Sequence, residues 1–477
     1  MGDKQKIISA IESKAGLFTG LSDQIWNFAE TRFCLRQSAD ALSAVLKDEG
    51  FTVERGVAGM AHAFVASFGS GAPVIGILGE YDALPGLSQE AGNAEKKALR
   101  EGAAGHGCGH HLLGAGALAG AVGIKDYMKE TGLGGTVKFF GCPAEEAGSG
   151  KAFMARAGLF NGIDGILTWH PMTETGIFSM SSLANYQVYF GFKGVAAHAA
   201  AAPHYGRSAL DAAELMNVGV NYLREHVIQE ARIHYAYIDV GGKAPNVVQP
   251  TAELLYYIRA PKTSQAREIY ERIIDIAKGA ALMTGTVMNM RWDSYCAEYL
   301  VNDVLGRAMH TNVLALGPNQ YTAEELAFAQ KFGDTLSEPV RKGIAANVAA
   351  YFGDDPQRVA EIAAKPIIDD IMPYVMSGRA IPGSTDVGDA SWHAPTAQLI
   401  GACFPTGMVA HSWQMVACGC SAIAHKGMIQ AGKVIAMTAL DMLENPDLLA
   451  RAKVEHSHRL AGETYHCPFP PEHTPEE

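Results

Sequence analysis

The sequence predicts an α/β protein that carries a smaller inserted α+β domain, and three changes of pattern along the chain predict it. Between Pro73 and Pro171, short apolar runs alternate with turns and a helical stretch, as in a largely parallel sheet. Near Ser182 the pattern switches to a period of two, and after Val301 helical periodicity returns. Residues 1–183 and 302–477 are therefore expected to form one domain and residues 184–301 the insert. A chain of 477 residues is long enough for two or three sizeable cores.

The opening MGDKQKIISAIESKAGLF reads as a capped amphipathic helix and not a secretion signal, so a cytoplasmic address is expected. The runs APVIGIL, TVKFF and GIDGILTW read as strands. They end at Gly79-Glu80-Tyr81-Asp82, at Gly141-Cys142-Pro143-Ala144-Glu145-Glu146 and at His170. Each delivers polar residues to a carboxyl end, where open α/β sheets bind ligands. Between the first two, HLLGAGALAGAVGIKDYMKE suits a helix packed closely on a sheet.

In the insert, ANYQVYFGFKG alternates Tyr186, Val188, Phe190 and Phe192 against Gln187, Tyr189 and Lys193, as a half-buried antiparallel strand does. A helix from Ser208 to about Val227, strands RIHYAYIDV and AELLYYIRA, a helix from about Ser264 to Ala281 and a strand VMNMRWDSY complete the β-α-β-β-α-β order of a ferredoxin-like unit. Beyond it, VNDVLGRAMH, TAEELAFAQKF, RVAEIAAKPIIDDIM and SAIAHKGMIQAGKVIAMTALDMLEN read as helices, and the proline-rich tail CPFPPEHTPEE as loose chain.

The charge balance of 38 Lys plus Arg against 50 Asp plus Glu, net -12, argues against nucleic acid and anionic membrane surfaces as partners. No apolar run approaches the roughly 18 residues of a membrane span. Eight cysteines without a CxxC pair point to reduced thiols.

The chemistry concentrates in Gly105-His106-Gly107-Cys108-Gly109-His110-His111, where Cys108 and His110 stand two apart and can share one ion. Alone, such a pair reads as a buried cysteine beside a histidine. Glu145 and Glu146 repel one another unless solvated or cation-bound, and His170 ends the next strand. Thiol, imidazoles and carboxylates converging from several strand ends make a metal centre with a spare glutamate for proton transfer.

The segments GEYDALPG, GHGCGHHLLGAG, PAEEAGSGKAFM, WHP, FKGVAAHAAAAP, APNVVQP and AHSWQM, in that order, resemble the M20 metallopeptidase family, and within it the amidohydrolase branch. The resemblance runs nearly end to end. It implies a zinc-peptidase-like catalytic domain with the insert as a dimerisation or lid domain. It also implies two divalent ions, manganese or zinc, held by Cys108, His110, Glu146, His170 and His411, with Asp82 steadying a ligand. Glu145 would be the catalytic carboxylate, and His198 would reach into the neighbouring protomer's site to stabilise the oxyanion. Asn246 and Arg259 would grip the substrate carboxylate.

The implied reaction is hydrolysis of the amide joining an acyl or aroyl group to an amino acid, with the folate catabolite p-aminobenzoyl-glutamate as the expected substrate. Alternatives are a dipeptidase, an N-acyl or indole-acetyl amino acid hydrolase, or a non-catalytic member of a heteromeric hydrolase. The expected assembly is a homodimer or a heteromer with a homologous chain. The branch pattern shows His-Asp where this chain has His110-His111, and Gly-Ser-Glu-Asp-Phe where it has Gly383-Ser384-Thr385-Asp386-Val387. His106, His111 and the Ser384–Asp386 segment are therefore given no role from the resemblance.

Overall fold

The structure, a computed structural model, describes residues 2–353, 355–376 and 378–475. Its larger sheet has seven strands in the order Thr52–Arg55, Phe64–Ser70, Gly135–Cys142, Val74–Glu80, Gly165–Met172, Thr396–Ala402 and Gly176–Ile177. The four central members from Gly135–Cys142 to Thr396–Ala402 are parallel, and the outer ones antiparallel. Buried parallel strands read as nearly continuous apolar runs, which is why 74–80 and 165–172 are legible in the sequence.

The helix His110–Thr131 crosses this sheet and packs on Ala422–Glu444. A Cβ at Gly120 would stand 2.7 Å from Ile435 Cγ2, so the small residues of the first helix permit the close approach. Ser421 caps the second helix by accepting from the Ala424 amide.

Strands 184–193, 232–239, 251–260 and 287–296 form a separate antiparallel sheet in the order 287–296, 184–193, 251–260, 232–239. Helices Ala209–Leu223 and Thr263–Thr284 complete the β-α-β-β-α-β order. Tyr186, Val188, Phe190 and Phe192 are buried, as their alternation predicts. Arg232–Asp239 is an edge strand with Tyr235, Tyr237 and Ile238 exposed. Aromatic residues of both sheets, including Phe140, Tyr186 and Tyr295, join one core with Phe153 of the helix Gly150–Arg156.

Two expectations need correction. RVAEIAAKPIIDDIM is helical only over Pro356–Ala363, because Pro366 lacks a donor and disfavours helix just before it. A helix not foreseen, Glu338–Phe352, precedes it. The tail is also anchored: Phe469 is buried against Phe153, Trp292 and Tyr295, and Arg156 donates to the carbonyls of Pro470 and His473. One aromatic side chain outweighs the surrounding prolines. All eight cysteines are free, and among the described residues no helix is long and apolar enough to cross a membrane.

Candidate metal centre

Cys108 sits on the glycine-rich turn that enters the helix His110–Thr131. Gly109 holds φ +85°, and a Cβ there would lie 2.7 Å from Pro171 Cγ, so glycine is required for the turn to reach the next strand. Its closure places Cys108 Sγ 3.4 Å from His170 Nε2. Asp82, at the end of Val74–Glu80, ties two elements together: Oδ1 lies 3.0 Å from His110 Nδ1, and Oδ2 accepts from the Glu146 amide at 3.0 Å. Since a carboxylate only accepts, His110 donates from Nδ1, and Nε2 is left facing the centre, where a bound cation would take the place of any proton it carries.

His411 joins from more than two hundred residues away, its Nε2 3.3 Å from Glu146 Oε2. Its amide donates to the Gly107 carbonyl at 2.8 Å, which pins it beside the cysteine turn. Both His411 (φ 61°) and Ala144 (φ 59°), just before Glu145, adopt left-handed backbone that costs of order 1–3 kcal/mol in a non-glycine residue. Such strain concentrates where side chains must be aimed.

Donor atoms of Cys108, His110 and His170 all lie within 4.8 Å of one another, as do those of Cys108, Glu146 and His411, and of Glu80, His110 and Glu145. His110 Nε2 and Glu146 Oε1 are buried without a hydrogen-bond partner, which is costly unless a cation occupies the space between them. The soft thiolate, imidazole and carboxylate donors fit divalent transition metals.

Burial, then the carboxylates of Glu80 and Glu146, pushes Glu145 well above the usual carboxylate range. Burial lowers His170 to about 4, so it stays neutral and able to ligate. Burial and the Glu146 charge push the Cys108 thiol up, so a bound cation must displace its proton.

Behind these groups runs a buried ion network that periodicity does not announce. Lys151 Nζ contacts Glu80 Oε1 at 2.6 Å and also Asp386, which accepts the Lys151 amide at 2.9 Å. All three side chains are buried, and burial raises Asp386 to about 6 against the pull of Lys151. Glu80 Oε2 stands 3.4 Å from His110 Nε2, so this network abuts the centre. The available signal for Glu80 is its place at the end of the apolar run that also delivers Asp82.

His106 and His111 are buried with ring centroids 4.9 Å apart and approach the carbonyls of Ile25 at 3.0 Å and Gly419 at 3.1 Å. They tie the turn to its surroundings and stand outside the donor groups. Burial lowers His106 to about 3, against about 6.5 in an unfolded chain. The unfolded state therefore binds the extra proton first. Stability from neutral His106 is present above pH 6.5 and is lost as pH falls toward 3, about 3 kcal/mol of it by pH 4. In metal-free protein, His106→Gln should flatten the loss of unfolding midpoint between pH 6.5 and 4; an unchanged slope would assign it to the carboxylates.

The insert residues stand apart. His198 is exposed on a loop, bridged to Val247, and its Nδ1 accepts from the amides of Ala200 at 3.2 Å and Ala201 at 3.1 Å. Nε2 therefore carries the proton. Asn246 is exposed nearby, its carbonyl accepting from the Ala199 amide. Arg259 ends strand 251–260 with its guanidinium 4.1 Å above Tyr257 and donates to the Pro382 carbonyl at 3.2 Å. Within one chain none of the three belongs to the donor groups.

The profile of the M20/M25/M40 peptidase family matches residues 76–414. The chain is 46% identical over 470 residues to the B component of p-aminobenzoyl-glutamate hydrolase from Escherichia coli, covering 98% of each. It is 26% identical to the mouse Xaa-Arg dipeptidase over 96% of this chain and 93% of that one. Among solved structures, a dinuclear metal-binding M20 peptidase from Bacillus subtilis superposes with a TM-score of 0.53 at 17% identity, over 90% of this chain and 99% of its own. An aminobenzoyl-glutamate utilization protein from Klebsiella pneumoniae gives 0.56 at 16% identity, over 90% and 97%. Sequence match, fold and donor set agree: the chain belongs to the M20 peptidase family and is a metal-dependent amide hydrolase.

Proposed function

We propose that the protein hydrolyses p-aminobenzoyl-glutamate to p-aminobenzoate and glutamate with two divalent ions, manganese or zinc. Cys108, His110 and His170 would hold one, and Cys108, Glu146 and His411 the other. The observation that carries this is the pair of donor trios sharing Cys108 beside Glu145, a carboxylate outside both. Bound there, divalent ions supply Lewis acidity that polarises a carbonyl and acidifies water.

Glu145 takes the proton from the attacking water and delivers it to the leaving nitrogen. Asp82 orients His110 and the Glu146 backbone. His198, protonated on Nε2, donates to the oxyanion in a neighbouring protomer's site, which accounts for its exposure and its separation from the donor groups of its own chain. The exposed edge strand Arg232–Asp239 is a surface on which two inserts can pair. The E. coli relative's designation as one component of a hydrolase favours a second reading, in which the neighbour is a homologous chain; the A component of that hydrolase is 29% identical to this chain over 230 residues.

The test is metal content and p-aminobenzoyl-glutamate hydrolysis by the chain purified alone and mixed with such a homologue. Full activity in chelator with no bound metal would end this reading. Activity only in the mixture would establish the heteromer.

Arg259 and Asn246 are assigned to the leaving amino acid's carboxylate. Arg259→Ala should raise KM for p-aminobenzoyl-glutamate about 10- to 100-fold, as for one lost charge-assisted hydrogen bond. Substrates amidated at that carboxylate should lose much less. Equal losses on both would assign Arg259 to the fold.

A further inference from the structure

A cavity of about 450 Å³ lies between Met172 at the end of strand 165–172, Ile400 of strand 396–402 and the helix Glu338–Phe352. Its walls are apolar, with Ile177, Phe178, Ile344, Ile368 and Met372 prominent. Thr173 lies three residues beyond His170, and Met408 three before His411. Three residues span at most about 11 Å, so two walls of the cavity lie within that reach of two donor residues.

One carboxylate, Glu174, faces this apolar space. It accepts from Thr173 Oγ1 at 2.5 Å and from the Tyr351 hydroxyl at 3.4 Å. A carboxylate offers about four lone-pair sites, so acceptor capacity remains for a ligand. No lysine or arginine lines the cavity among the described residues. A flat apolar group tipped with an N–H donor therefore matches it. A neutral aromatic amine satisfies the acceptor without bringing a strongly solvated ammonium into apolar surroundings.

We propose that this cavity is the acyl subsite, holding the aromatic ring of an aminobenzoyl group with its amine donating to Glu174. The assignment rests on the amidohydrolase reading above. It makes Glu174 and Tyr351 specificity-determining residues that touch the acyl end of the substrate, distant from the bond that breaks. The helix Glu338–Phe352, which supplies Ile344 and Tyr351, then serves to build this wall.

The test compares p-aminobenzoyl-glutamate with benzoyl-glutamate, which lacks only the amine, and separately measures p-aminobenzoate binding by calorimetry. In Glu174→Gln, the preference for the amino substrate in kcat/KM should fall about 10- to 100-fold, as for a lost hydrogen bond to a charged group. Ala350→Trp, on the exposed cavity side of its helix, should abolish p-aminobenzoate binding with metal content retained. If the wild type hydrolyses the amino substrate and both variants match it in preference and binding, the subsite assignment is overturned and the hydrolase reading stands. If the wild type, alone and mixed with the homologous chain, binds p-aminobenzoate in a Glu174-dependent way but hydrolyses neither substrate, the subsite stands and the p-aminobenzoyl-glutamate reading falls. Neither binding nor hydrolysis overturns both.

Discussion

Glu145→Ala is expected to retain bound metal and lose roughly 10²- to 10⁴-fold in turnover, since it removes the proton carrier and leaves intact the two donor trios that share Cys108. Its neighbour should behave otherwise: Glu146→Ala removes a donor and should lose metal. Loss of metal from Glu145→Ala with retention in Glu146→Ala would exchange the two roles. The same variant tests the shared site. His198→Ala and Glu145→Ala homodimers should each be nearly inactive. After verified exchange of protomers, a mixed dimer has one site with an intact Glu145 and a His198 from its neighbour. With half the dimers mixed and one of two sites rebuilt in each, activity should return to about a quarter of wild type. No recovery in confirmed mixed dimers would confine His198 to its own chain.

Lys151→Met is expected to cost about 3–5 kcal/mol, read as a shift in denaturation midpoint, because it strands Glu80 and Asp386 as buried carboxylates without a counter-charge. The pH dependence separates this from lost packing. Asp386 already titrates at about 6 in the folded state, above its ordinary range, so its contribution favours folding at low pH and is lost as pH rises through 6. Without Lys151 both carboxylates hold protons more tightly, and protonation relieves the stranded charge. The deficit should therefore be larger at pH 8 than at pH 5. A deficit independent of pH would make Lys151 a packing residue. Because Glu80 also approaches His110, metal affinity should weaken alongside stability.

Much of the fold is open to inspection in the chain itself. The parallel strands, the crossover helix and the β-α-β-β-α-β insert follow from local periodicity, since each element must hide one face or stripe, and that requirement is written in consecutive residues. Cys108, His110, Glu145, Glu146 and His170 are legible for a related reason: they cluster at the ends of apolar runs and in the turn between them, and the carboxyl ends of parallel strands meet at one edge. Tertiary packing decides the rest. His411 reaches Glu146 only because its loop hydrogen-bonds to the Gly107 carbonyl, and nothing in its own neighbours announces that contact. Lys151 finds Glu80 and Asp386, 71 and 235 positions distant along the chain, because burial compels opposite charges to meet wherever the fold brings them close. The cavity around Glu174 and the anchorage of Phe469 have the same origin. Periodicity records which face of an element is buried, whereas the partner it meets there depends on how distant elements pack.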